Sequence, residues 1–139
     1  MKRLGEPTVH AFSIPTGKDL YEELSVLVGK RKIKAGFITC IGALQKAKVA
    51  FYNQKTHEYE EHEMNEACEI VACTGNITLK EGKPFVHIHL VVSDKTGRAF
   101  GGHALPGCKV FACEGFIFSF YGKVERALDE ATGLHLWKL

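Results

Sequence analysis

The chain has 139 residues, 45% of them hydrophobic and 24% charged, which fits one domain spanning residues 1–139 with a real buried core. A net charge of +2 falls short of the basic stripe that dedicated nucleic-acid binders carry. No stretch reaches the roughly 18 apolar residues of a membrane span, and the start, MKRLGEPTVHAFSIPTG, lacks the apolar region of a signal peptide, so a cytoplasmic protein with no membrane partner is expected.

GKDLYEELSVLVGKRKI sets Leu20, Leu24, Leu27 and Val28 at helical spacing, with Thr16 as N-cap and basic residues near the end. This predicts one main helix over about residues 17–31. AGFITCIGAL and KAKVAFYNQ read as two strands around a tight connection at 42–46. HEYEEHEM follows, then EACEIVACTGNITLK with a turn signal at Gly75–Asn76. FVHIHLVVS, RAFGGHAL and CKVFACEGFIFSFYGK are further strands, before a short helical turn at ERALDEATG and a last strand, HLWKL. The expected class is α+β: a mostly antiparallel β-sheet with one main helix and a short C-terminal helical turn packed around it.

Cys40, Cys68, Cys73, Cys108 and Cys113 are odd in number and lack the two-residue spacing of a zinc knuckle or redox motif. They lie in apolar runs and read as small core residues.

The chemistry concentrates in FVHIHLVVSDKTGRAFGGH, residues 85–103. Side chains alternate along a strand, so Val86, Ile88, Leu90 and Val92 form an aliphatic face and His87 and His89 point the other way. Asp94-Lys95-Thr96-Gly97 has Asp first and Gly fourth, the pattern of a type I turn followed by a bulge residue. Paired residues then sum to 192: Val92 faces Phe100, Leu90 faces Gly102, and His89 faces His103. Opposed residues have Cβ atoms about 4.5–5.5 Å apart, close enough for imidazoles to converge on one ion. Gly101, on the histidine face, leaves room beside the site, and Gly102, on the core side, permits close packing or a bulge. Spacing alone leaves three readings open: a metal or anion site, a hydrogen-bonded structural cluster, and coincidence. A cupin is disfavoured, because Ser93 or Asp94 stands where its motif needs Glu, and the third histidine lies across a tight hairpin.

GALQKA (42–47), TGNIT (74–78), GKPFVHIHLVVSDKTGRAFGGH (82–103) and ERALDEATGL (125–134) together resemble the PPC (plants and prokaryotes conserved) domain in its stand-alone prokaryotic form, from about residue 8 to the C-terminus. The resemblance implies an antiparallel sheet with helices around it, a homotrimer, and a divalent metal, zinc first, on His87, His89 and His103. Arg126 and Asp129 fall in the matched C-terminal segment, as salt-bridge partners or as residues lining the same cleft. The plant relatives bind DNA and carry a separate AT-hook with an Arg-Gly-Arg-Pro core, which has no counterpart in this sequence. With that hook missing and a charge of +2, DNA is a weakly supported partner.

The reading is a small cytoplasmic PPC-type protein with a three-histidine metal site on a β-hairpin. Its role divides into three classes. A metal-dependent hydrolase or lyase would use a zinc-bound water, with Glu114, Glu125, Arg126 and Asp129 as candidates for proton transfer. A binding module would engage DNA or protein with the metal structural. A sensor would take an anionic small-molecule ligand on protonated histidines.

Overall fold

Apolar residues at every second position commit most of this chain to strands. The computed structural model describes residues 1–139 in the order β1 (Pro7–Ile14), α1 (Leu20–Lys30), β2 (Gly36–Asn53), β3 (Glu58–Met64), β4 (Cys68–Lys80), β5 (Lys83–Ser93), β6 (Ala99–Ala104), β7 (Lys109–Phe120), β8 (Glu125–Asp129) and β9 (Leu134–Lys138). No helix is long and apolar enough to cross a membrane.

β2 organises the sheet. Its first half pairs antiparallel with β4 along one edge and β7 along the other. Its second half pairs with β3 and, at Val49 and Ala50, with β6. Because β5 joins β4 to β6, the pairings β2–β4–β5–β6–β2 close into a ring. β1 extends the sheet beyond β7, and the β8–β9 hairpin hangs from β4 through a short parallel pairing at Leu79 and Lys80. The residues enclosed include Ile38, Val49, Ile70, Ile77, Val86, Ile88, Leu90 and Val92, all in one buried apolar cluster. The helix adds Leu20, Leu24 and Val28 to the same cluster, and its Tyr21 hydroxyl donates to the Val86 carbonyl at 3.2 Å. All five cysteines are buried and free. Burial pushes the Cys108 thiol up to about 11, which keeps it protonated and inert.

Several expectations need correction. The fold is mostly β, with 62% of residues in strands and 8% helical, rather than α+β with a C-terminal helical turn. ERALDEATG is strand β8 and the turn after it. Residues with good helix propensity are held extended by pairing with β9 on one edge and β4 on the other, an override of local preference by tertiary context. The chain before the helix, Pro7–Ile14, is a strand as well, paired along its whole length with β7.

The helix begins three residues later than expected, and its N-cap is Asp19, whose carboxylate accepts from the Glu22 amide at 3.0 Å. Thr16 instead donates its hydroxyl to the Phe111 carbonyl at 2.6 Å. The expected connection at 42–46 does not exist, for β2 runs through it with bulges. Gly42 has φ +145, and a Cβ there would lie 2.1 Å from the Ala112 carbonyl oxygen, so this glycine admits a neighbouring strand rather than reversing the chain. β4 likewise passes straight through Gly75–Asn76. The turn lies at Glu81–Gly82, with φ of 53 and 77, the paired positive values of a two-residue hairpin loop.

Alternation along β5 yields a direct check. Leu90 is fully buried and Val91 is 38% exposed. Leu90→Ala should lower unfolding stability by about 2–5 kcal/mol, and Val91→Ala by under about 1 kcal/mol, measured by urea unfolding.

Candidate metal centre

The β5–β6 turn sets the site. The Asp94 carboxylate accepts from the Thr96 amide at 2.7 Å, the Thr96 hydroxyl at 2.6 Å and the Arg98 amide at 3.1 Å. These bonds, the Thr96 hydroxyl's foremost, hold its pKa down to about 2. The Gly97 amide donates to the Asp94 carbonyl at 2.9 Å with φ of +82. This turn imposes the register His89↔His103, Leu90↔Gly102 and Val92↔Phe100, the pairing expected from the sequence.

The three histidines therefore share one face. One ligand atom from each of His87, His89 and His103 lies within 4.8 Å of the other two. Ring centroids are 4.9 Å apart for His87–His103, 5.1 Å for His87–His89 and 5.7 Å for His89–His103. His103 Nδ1 is buried with no hydrogen-bond partner, an orphaned lone pair or proton of the kind native structures rarely leave. Burial first, then the neighbouring His103, Arg126 and His89, brings His87 down to about 4. Burial, with His89 and Arg126, also lowers His103. Both rings are thus neutral near pH 7, the form in which imidazole binds a metal. Three converging imidazoles, one of which also carries a buried nitrogen without a partner, fit a divalent ion.

Arg126 reaches this cluster from β8. Its Nε donates to Thr78 Oγ1 at 2.8 Å, Nη1 to the His135 carbonyl at 2.7 Å, and Nη2 to Asn76 Oδ1 at 2.8 Å. Nη2 also lies 3.2 Å from His87 Nδ1. A guanidinium only donates, so Nδ1 accepts, and the neutral His87 ring carries its proton on Nε2. Ligation of a metal at His87 therefore breaks the bond from Arg126 in either case: at Nδ1 by displacing the arginine, at Nε2 because the proton moves to Nδ1, which can then no longer accept.

The histidines open into a cavity of about 620 Å³. Gly102 lines it, and a Cβ there would meet the Ala50 carbonyl at 2.6 Å. Gly101 borders a neighbouring hollow with His62 and Phe100 instead. Asp129 is not in the cavity. Its carboxylate accepts from the Thr132 amide at 3.0 Å and hydroxyl at 2.7 Å, shaping the β8–β9 turn rather than pairing with Arg126. Glu114 stands opposite Ile41 in the β2–β7 pairing, and Glu125 pairs with Lys123 at 2.9 Å. Neither glutamate lines the cavity.

Sequence reasoning missed Tyr59, whose ring lies 5.1 Å from that of His103, together with Lys80, Phe85 and Asn76. Asn76 was within reach. The Glu81–Gly82 turn pairs residues summing to 163, and so sets Asn76 opposite His87 and Thr78 opposite Phe85. Tyr59 had no such signal, since β3 approaches the site only through its pairing with β2.

Residues 1–121 match the family model for the Plants and Prokaryotes Conserved (PCC) domain. The chain belongs to this family. It is 36% identical to a metal-containing protein from Archaeoglobus fulgidus, with a TM-score of 0.93 and 100% of both chains covered. It is 29% identical to a plant- and prokaryote-conserved (PPC) protein from Pyrococcus horikoshii, again with a TM-score of 0.93, covering 100% of this chain and 96% of that one. A Bacteroides thetaiotaomicron structure, provisionally assigned to DNA binding, is 27% identical with a TM-score of 0.87, covering 99% and 94%. The bifunctional protein GlmU of Synechococcus sp. (strain JA-3-3Ab) is 31% identical over 141 residues, covering 97% of this chain and 21% of that one. The PPC-domain chain thus spans about a fifth of the length of the curated relatives it matches.

The depressed His87 pKa carries a pH signature. An unfolded histidine titrates near 6.5, so the unfolded metal-free chain takes up this proton before the folded one does. The stability concerned is fully present above about pH 6.5 and is lost as pH falls toward about 4. His87→Asn should flatten that part of the slope, read from urea midpoints of metal-free protein across the same range.

Proposed function

We propose that this PPC-domain protein holds one divalent metal ion, zinc by the chemistry of its ligands, on His87, His89 and His103, and presents it to a small molecule in the adjoining cavity. The observation that carries this reading is the convergence of one ligand atom from each of the three histidines within 4.8 Å; the buried, unpartnered His103 Nδ1 belongs to the same residues. The metal-containing relative from A. fulgidus, 36% identical over its whole length, supports it. Bound to three neutral imidazoles, zinc supplies Lewis acidity and an activated water, the chemistry of a hydrolase or lyase.

The chain's own residues supply the surroundings. Asp94 and its turn keep His103 opposite His89. Asn76, Thr78 and the His135 carbonyl hold the guanidinium of Arg126 beside His87. Tyr52 and Tyr59 pack at 5.0 Å between ring centroids and form a wall of the cavity. Elemental analysis of untagged protein should find about one zinc per chain in the wild type and none in His89→Ala, with matching circular dichroism spectra. No metal in the wild type after zinc loading would remove this function.

The family resemblance also implies a homotrimer, and one exposed apolar face supports association between copies. Val9 and Phe37 flank Phe118 in paired register on β1, β2 and β7, with Phe116 at 49% and Ile41 at 58% exposure on the same face. Sedimentation should give three times the chain mass, and Phe116→Asp should shift it toward the monomer.

A further inference from the structure

We propose that the cavity over the histidine cluster recognises a small organic carboxylate, with Arg126 as its charge partner and Lys80 as a second cation at its edge. This deepens the metal reading and rests on the same cavity.

The lining includes Lys80, Arg126 and four histidines, and it includes no aspartate or glutamate. Every partner of Arg126 is neutral: the Thr78 hydroxyl, the Asn76 amide oxygen, the His135 carbonyl and the His87 ring. These bonds fix the guanidinium without compensating its charge. Four of its five N–H groups are engaged, which leaves one on Nη1 for a ligand. A partly buried cation without a counter-charge is costly in an empty protein and favourable once an anion arrives.

A second, independent observation comes from the β4–β8 pairing. Lys80 stands directly opposite Arg126, and like charges so placed repel. Both cations lie over the ring of Phe85, Lys80 Nζ at 5.5 Å and Arg126 Cζ at 5.3 Å from its centroid. Neither forms an ion pair within the chain. A divalent ion on the histidines would add two further positive charges to the same space. An anionic ligand is what this set of charges selects, and the apolar walls from Phe85, Tyr59, Leu134 and Leu136 favour an organic body over a bare inorganic anion.

The test titrates zinc-loaded and metal-free protein with benzoate, its neutral isostere benzamide, and inorganic phosphate, by calorimetry. Benzoate should bind at least about tenfold more tightly than benzamide, the worth of one charge-assisted hydrogen bond, and more tightly than phosphate. Arg126→Gln should weaken benzoate by about tenfold and benzamide by much less, since only the carboxylate loses a charge-assisted bond. Because Arg126 also ties β8 to β4, circular dichroism must show that this variant folds. Lys80→Gln, at the edge and without structural bonds, should weaken benzoate severalfold in any case. Equal binding of benzoate and benzamide, preference for phosphate, or unchanged benzoate affinity in the folded variants would overturn the carboxylate assignment. Protein that takes up no zinc yet binds benzoate through Arg126 would overturn the metal reading alone. Protein that takes up zinc and ignores benzoate would overturn the carboxylate assignment alone.

Discussion

Burial of Val86, Ile88, Leu90 and Val92 inside the closed ring of β2, β4, β5 and β6 leaves the alternate residues of β5 a single direction, outward. Each of these four side chains is at most 2% exposed, so a slip of one residue would move four apolar side chains out of the core and the histidines into it. That cost is large compared with any single contact in the site. The core thus holds the histidine face in place whether or not a metal is bound. Two turns then bring partners to it: Asp94–Gly97 sets His103 against His89, and Glu81–Gly82 sets Asn76 against His87.

Arg126 is where the periphery joins this centre. It pins the β8 strand to β4 through Thr78 and Asn76 and to β9 through the His135 carbonyl, and the same guanidinium faces His87. Burial first, with the neighbouring histidines and this guanidinium adding to it, lowers the proton affinity of His87 and His103 and keeps their rings in the neutral form, while the guanidinium occupies one of the His87 nitrogens. The two effects meet at a single ring, so under the proposed metal reading the tautomer of His87 couples its protonation to metal binding.

The PPC family supplies the frame for these features. The chain aligns end to end with a metal-containing archaeal relative, and a stretch of similar length occurs as a fifth of the Synechococcus GlmU proteins. The cavity over the histidines draws its lining from β2, β3, β4, β5, β6, β8 and β9, so nearly the whole sheet shapes it.

Much of the centre was legible in local pattern. The alternation of FVHIHLVV and the Asp-x-x-Gly turn are interactions between near neighbours, and together they determine that His87, His89 and His103 share a face. The helix was legible for the same reason, its leucines recurring at 3.6-residue spacing, although its cap fell to Asp19 once the Gly107 amide took the second carboxylate oxygen at 2.7 Å. What depended on distant contacts was not legible. ERALD is a strand because β4 and β9 offer it hydrogen bonds that a lone segment lacks, and β2 stays whole because Gly42 lets β7 press against it. Tyr59 and Arg126 come to the histidines only through the pairing of strands far apart in the chain, and of the two only Arg126 was indicated in the sequence, by the family resemblance. Periodicity and turn chemistry act over a few residues and so determined the hairpin; closure of the sheet acts over the whole chain and alone decided what surrounds it.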